Sequence, residues 1–506
     1  MARYKHGNQR GCLRDTRENI LKEIELWVED FSRPPIFWLN GPTGIGKSAI
    51  AQSVVEWCDA HGKTGLFFSS SHDANDHNNP HSVFPTAIQL AQKHPEIRPI
   101  LVALLRSNPD VVYESPYDQV EKLIVKPLKS ANIPTVIVID ALEEWIDDAP
   151  QSAVFSAVEH WVKEIPEVKF LITGRSKPRI LAGSHLPILN GLTDVFSLHD
   201  GVQDRIDNDI RIFLKHRLSG LANRKELDNW PTDAQLDQLR DRADGLFVYA
   251  VATVKFLDHK QTPTSEKYAI IAHSPDDTIH EGTVEGVHRG LSLDYLCISI
   301  LQGSFKNNDD EDDTIVRSVL AIMVLATYPL PPSAIADLSC SEVGEVVSIL
   351  SSITSLLRLH EDPNRPVRPF HKLLSDLLTS STRCADKRFY ISPGKYHSEI
   401  ALNCLRLMNE TLEGGLSLQN DTAHSEVTLK YACAAWHVHL AQAREDVATL
   451  ISSLRHFLEE KSGMWLWVLG APATTTVMSA RENTTSWLRE VHFVRSNSFQ
   501  CLRALY

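Results

Sequence analysis

The chain has 506 residues, 43% hydrophobic and 23% charged, with a formal net charge of −13. That length suits roughly three or four domains, and the composition is globular rather than disordered or fibrous. The acidic balance argues against broad attraction to nucleic acid or to an anionic membrane surface.

No apolar run approaches the ~18 residues of a membrane span. Met1 to Gly11 hold no apolar signal-peptide core. The eight cysteines form no C-x-x-C pair, so neither a zinc site nor a disulfide framework is expected. These features lead us to expect a reduced, cytoplasmic setting.

In chain order, Ile20, Ile24 and Trp27 recur at helical spacing before Pro34-Pro35 ends the pattern. A short apolar strand, Ile36–Leu39, follows. It runs into Gly41-Pro42-Thr43-Gly44-Ile45-Gly46-Lys47-Ser48-Ala49, which has the spacing G-x-x-x-x-G-K-[ST]. The glycines let the backbone curl until successive N–H groups converge on an anion. The next helix points its positive end at the same place. Ile50, Val54, Trp57 and Cys58 form its apolar face. The pattern predicts nucleotide binding by Gly41–Ala49, with Lys47 at the β/γ-phosphates and Ser48 on Mg²⁺.

From 36 to about 200, strand-like runs alternate with helical stretches, which predicts an α/β domain with a mostly parallel sheet. The further strands expected are Leu66–Ser69, Thr135–Ile139 and Val168–Thr173. The histidine-rich stretch Ser69–His81 reads as a solvated loop. Thr135–Ile139 ends in Asp140, the place for a carboxylate that holds Mg²⁺, directly or through water. Glu143 and Glu144 follow, and either is a candidate to polarise an attacking water. A buried strand capped by a surface acidic turn is the plainer alternative. The last strand leads into Gly174-Arg175, where Arg175 either senses a γ-phosphate or pairs with a surface carboxylate. There is no N-K-x-D guanine segment, which favours adenine. H-R-D, D-F-G and L-S-G-G-Q segments are also absent.

Beyond 200 the pattern is helical, with Leu236, Leu239 and Ala243 on one face. The acidic run Asp309–Asp313 reads as an exposed loop between helices. Phe370, Leu373, Leu374, Leu377 and Leu378 predict one apolar helical face, with His371 off it. No repeat of fixed period is present.

These segments together resemble the NACHT-type STAND NTPases, above all the fungal group related to the nephrocystin-3-like N-terminal domain. Cys12-Leu13-Arg14-Asp15-Thr16-Arg17 is similar to the family's C-x-x-G-T-R approach, with Asp15 where Gly is usual. Phe67-Phe68-Ser69-Ser70 resembles F-F-F-S-R without its Arg. Asp140-Ala141-Leu142-Glu143-Glu144 resembles D-A-L-D-E, and Thr173-Gly174-Arg175 the sensor position. Ala243–Ala250 is similar to the family's G-L-F-x-Y-A helix. Phe370–Leu378 resembles the M-H-D segment of the winged-helix domain, with Lys372 in place of the Asp.

The resemblance implies a layout of an N-terminal approach segment (1–33), a P-loop NTPase domain (34–200), a helical domain (201–262), a linker (263–290), a winged-helix domain (291–390) and a C-terminal helical domain (391–506). It also implies ATP/ADP with Mg²⁺ as cofactors and His371 as a contact to the diphosphate of ADP. Nucleotide exchange would then open the chain and permit self-oligomerisation, in an innate-immunity-like or self/non-self recognition role. Effector and sensor domains of that architecture are expected to be missing from this chain. Two other readings stay open: an ATPase that couples turnover to remodelling, and a scaffold that nucleotide merely stabilises. Hydrolysis is expected to be slow.

Overall fold

The computed structural model describes residues 11–69, 83–114, 116–142, 151–165, 167–174, 191–198, 203–258, 263–272, 291–306, 310–358, 362, 364–411, 426–469 and 473–491. The segment 70–81, Glu143, Glu144 and Arg175 lie outside them. The chain divides into two units, Met1–Asp258 with His280–Ser292, and His259–Ile279 with Leu293–Tyr506.

In the first unit α1 (Glu18–Glu29), β1 (Ile36–Asn40), α2 (Lys47–Ala60) and β2 (Thr64–Ser69) come first. Then follow α3 (Phe84–Lys93), α4 (Arg98–Ser107), α5 (Pro116–Val120), α6 (Lys126–Ala131) and β3 (Thr135–Asp140). The domain continues with α7 (Gln151–Glu164), β4 (Val168–Gly174), β5 (Thr193–Ser197), α8 (Gln203–Lys225), α9 (Asp233–Ala243) and α10 (Phe247–Asp258). The five strands form one parallel sheet in the order β2-β3-β4-β1-β5.

Every residue of β1, β3 and β4 is buried, as expected of strands covered on both faces. Alternate residues serve different layers. Ile36, Trp38, Leu66, Phe68, Ile137, Ile139, Phe170 and Ile172 pack into the core shared with α3, α6 and α7. On the other parity, Phe37 meets Trp27 of α1 with ring centroids 5.4 Å apart. Ile20, Ile24 and Trp27 are buried as their spacing predicts. At the foot of β4 the buried Lys169 donates to the carbonyls of Trp27 and Asp30, satisfying the last turn of α1.

The fifth strand, β5, is absent from the sequence expectation. Thr-Asp-Val-Phe-Ser is a short, half-polar edge strand. What makes it a strand is its parallel ladder with β1, Ile36↔Thr193 to Asn40↔Ser197. α9 does follow its local signals. Thr232 and Gln235 form a capping box, Leu236, Leu239 and Ala243 are buried, and Asp244 and Gly245 take positive φ at the end.

The second unit is mostly helical: α11 (Thr264–Ala272), α12 (Leu291–Ser304), α13 (Asp310–Leu325), α14 (Pro332–Ser339) and α15 (Val343–Ser352). A two-stranded antiparallel hairpin, β6 (Leu357–Arg358) with β7 (Arg368–Pro369), precedes α16 (Lys372–Leu378). The last helices among the described residues are α17 (Pro393–Thr411), α18 (Glu426–Gln442), α19 (Val447–Glu460), α20 (Ser462–Leu469) and α21 (Ala473–Glu490).

The acidic run expected to be a loop instead opens α13 from Asp310 onward. Carboxylates in a first helical turn face the positive end of the macrodipole, so a charge run there is compatible with helix. Trp436, Phe457 and Trp465 form an edge-to-face cluster at the centre of the C-terminal helices. Among the described residues, no helix is long and apolar enough to cross a membrane.

Candidate functional site

The glycine-rich loop joins β1 to α2. Gly44 and Gly46 have φ of 86° and 102°, a region that side-chain-bearing residues enter at a cost. Gly41 is tight as well. A Cβ there would stand 3.2 Å from Ile45 Cγ2 and 3.3 Å from Leu198 Cβ. Among the described residues, the backbone N–H groups of Thr43, Gly44, Gly46 and Ser48 meet no protein acceptor. Lys47 is 8% exposed, and its Nζ donates to the carbonyls of Gly41 at 2.7 Å and Pro42 at 3.0 Å. Its ammonium is thus held against the loop beside those donors. Pro42, Thr43, Ser48 and Ala49 are partly exposed around it, while Ile45 is buried beneath. Loop N–H groups without a protein acceptor among the described residues, a buried cation and a helix N-terminus fit a phosphate chain.

Asp140 closes β3 at 2% exposure. β4 separates β3 from β1, and Leu39 of β1 pairs with Thr173 of β4. The Thr173 hydroxyl donates to Asp140 Oδ1 at 2.7 Å and accepts the Ala141 N–H at 2.9 Å. Thr173, read from sequence only as part of the sensor segment, therefore orients the carboxylate. A threonine that follows the apolar run Phe170-Leu171-Ile172 at the strand's carboxyl end was the available signal. Asp140 and Ser48 have the donor chemistry for Mg²⁺, which favours carboxylate and hydroxyl oxygens.

Arg17 emerges at this site although its sequence signal was only the C-x-x-G-T-R likeness. It is 7% exposed. Its Nη2 donates to the Ile45 carbonyl at 2.6 Å, and its guanidinium lies 4.9 Å from the centroid of Phe247. Its backbone N–H donates to Asp209 Oδ2 at 3.2 Å, and the two side chains approach to 3.8 Å. Burial outweighs that attraction. It lowers the Arg17 pKa and raises that of Asp209. The N–H of Val248, in the first turn of α10, donates to the Gly44 carbonyl at 3.0 Å. Upstream, the Cys12 N–H donates to Ser53 Oγ on α2 at 2.7 Å. Asp15, where the family has Gly, sits at φ 66°, the left-handed region that glycine enters without strain.

His371 belongs to the second unit. The apolar face expected to run from 370 to 378 starts later, because the helix begins at Lys372. Phe370 still belongs to the hairpin arm, and its N–H donates to the Leu356 carbonyl at 2.8 Å. His371 is the N-cap, and its Nδ1 accepts the Leu373 N–H at 3.2 Å.

Residues 15–175 match the family described as Nephrocystin 3, N-terminal. No curated protein sequence matches the chain. Among solved structures, the chain is similar to a Signal Transduction ATPase with Numerous Domains (STAND) protein with a tetratricopeptide repeat sensor from Pyrococcus horikoshii. Identity is 11% over 98% of this chain and 70% of that one, with a TM-score of 0.36. A Walker-type ATPase of Pyrococcus abyssi is similar at 13% identity over 73% of this chain and 98% of that one, TM-score 0.33. The Aeropyrum pernix Orc1 protein, solved in complex with DNA, is similar at 14% identity over 71% and 90%, TM-score 0.29. Likeness at this level carries nothing about ligands or partners. The family match spans the glycine-rich loop, Asp140 and Thr173, which the parallel sheet brings to one edge. Residues 15–175 therefore form a P-loop domain similar to the Nephrocystin 3, N-terminal family.

Proposed function

We propose that this chain is an ATP/ADP-operated switch. In this reading Gly41–Ala49 wrap the phosphates and Lys47 turns from its carbonyl partners to the β/γ-phosphates. Ser48 and Asp140 hold Mg²⁺, Glu143 or Glu144 orients the water, and Arg175 senses the γ-phosphate. A bound Mg²⁺ would neutralise charge between the phosphates. Residues 201–262 serve as the helical domain, 263–290 as linker and 391–506 as the C-terminal helical domain. In 291–390, helices α13–α15 followed by a hairpin suit a winged-helix domain. His371 of that domain would contact the ADP diphosphate and favour a closed form. Exchange for ATP opens the chain and permits self-association, in a cytoplasmic signalling role without nucleic acid.

The supporting observation is the loop itself, with four backbone donors that meet no protein acceptor among the described residues, a buried lysine beside them and a threonine-held carboxylate two strands away. A ligand shifts such an equilibrium only as far as it binds one state better.

The test is nucleotide content after purification, affinity for a fluorescent ADP analogue, turnover, and size by small-angle scattering with ADP or ATP. Retained ADP, slow turnover and a nucleotide-dependent size are expected, and Lys47→Ala should lose binding. Unchanged affinity in a folded Lys47→Ala variant removes the assignment. Many turnovers per minute would favour the remodelling ATPase, and binding without a change of size the scaffold.

A further inference from the structure

We infer that Arg17 is a positioning residue for the phosphate loop, holding its crest through the Ile45 carbonyl and tying it to the helical segment through Phe247 and Asp209. The inference rests on the nucleotide reading above and adds a residue and a coupling to it. Three observations carry it. One Arg17 nitrogen bonds a loop carbonyl at 2.6 Å, and the same guanidinium lies on Phe247 at 4.9 Å. Phe247 also approaches the loop, since a Cβ at Gly46 would meet its Cδ2 at 3.8 Å and Arg17 Nη2 at 4.0 Å. In the next residue, the Val248 N–H holds the Gly44 carbonyl, so the loop's two crest carbonyls are engaged from two directions.

The physical consequence is directional. Fixing the Ile45 carbonyl fixes its whole peptide and with it the Gly46 N–H, one of the loop donors without a protein acceptor among the described residues, while the Gly44 carbonyl shares its peptide with the Ile45 N–H, which donates to the Pro42 carbonyl. A phosphate then meets a preformed cradle and loses less affinity to ordering it. Arg17 Nε is buried with no hydrogen-bond partner among the described residues, and burying an arginine with incomplete satisfaction costs stability. Structure alone gives little reason to bear that cost, whereas holding the loop does. Phe213 packs edge-on against Phe247 at 5.9 Å, and Asp209 lies on the same helix, α8. A change in the loop is therefore transmitted to α8 and α10 by direct contact.

The experiment measures the affinity of the full chain for fluorescent ADP and ATP analogues, together with melting in the absence of nucleotide. The variants are Arg17→Ala, Arg17→Lys, Phe247→Ala, Arg17→Ala/Phe247→Ala and, as reference, Lys47→Ala. Arg17→Ala should weaken binding at least tenfold, the scale of losing a charged hydrogen bond to a buried partner. Arg17→Lys should recover most of the loss, because an ammonium can still donate to the Ile45 carbonyl. The double variant should be no weaker than Arg17→Ala alone, the signature of a coupled pair. Loss of binding in Lys47→Ala with Arg17→Ala within twofold of wild type would overturn the inference and leave the nucleotide reading intact. Equal losses in Arg17→Ala and Arg17→Lys that track a fall in melting temperature would also overturn it, as a merely structural effect. No binding by the wild-type chain, or no effect of Lys47→Ala, would overturn the nucleotide reading and this inference with it.

Discussion

Acidification should destabilise the C-terminal helices, and three buried imidazoles set the size of the effect. His397 of α17 and His439 of α18 approach Nδ1 to Nδ1 at 2.8 Å. His439 Nε2 is 2.6 Å from the Tyr431 hydroxyl, which accepts the Thr327 N–H at 3.2 Å. One assignment of protons satisfies this chain: Tyr431 donates to His439 Nε2, and His439 Nδ1 donates to His397 Nδ1. An added proton breaks one link of it. His437 meets Asn483 at 2.9 Å.

All three histidines are at most 4% exposed. Burial pushes His437 down from 6.5 to about 4. It also lowers His397, helped by Arg444, and His439, helped by the other two histidines. The unfolded chain therefore binds more protons once the pH drops below about 6.5, and stability falls from there to about pH 4. One pH unit is worth about 1.4 kcal/mol per histidine, so His437 alone accounts for about 3 kcal/mol at saturation. Three imidazoles give a slope near 4 kcal/mol per pH unit, large against a typical total of 5–15 kcal/mol. Urea midpoints from pH 7.5 to 4.5, followed by fluorescence of the Trp436–Trp465 cluster, measure this. His437→Gln, which keeps an amide partner for Asn483 and removes the titration, should reduce the slope by about a third. A flat midpoint between pH 7 and 5, or an unchanged slope in His437→Gln, would refute the reasoning.

Other outcomes follow from the two units. Asp140→Asn should weaken Mg²⁺-dependent nucleotide binding, and Thr173→Val, which removes the hydroxyl that donates to Asp140 Oδ1, should do so by a smaller factor; titrations with and without Mg²⁺ compare them. Asp15→Gly should stabilise the first unit by about 1 kcal/mol, because φ 66° costs a side-chain-bearing residue that much; calorimetry of the two proteins is sufficient. His371→Ala should lose the N-cap of α16, at about 1 kcal/mol, and also favour the more readily oligomerising form. His371→Asn keeps a capping acceptor but removes the imidazole, so sizing chromatography with ADP should find it as open as the Ala variant. If His371→Asn instead behaves as wild type, the histidine is a cap and nothing more.

The backbone course of the glycine-rich loop was legible in the sequence because it is local. Spacing alone sets positive φ at Gly44 and Gly46 and places Lys47 at the start of α2. Asp140 was legible because an apolar run ending in a carboxylate is a buried strand with a charged end. β5 was not, since five half-polar residues become a strand only when β1 offers its open edge. Nor was the start of α13, where charge patterning alone could not distinguish a loop from a first helical turn. Arg17 shows the same division. Its residue type and its likeness to a family motif stand in the sequence, but its role depends on Ile45, Asp209 and Phe247, which are 28, 192 and 230 positions away. Local backbone chemistry thus determined the loop and the strand ends. Only the tertiary structure decided which distant groups hold them, because buried polar contacts form wherever packing brings a donor to an acceptor, and sequence spacing does not encode that.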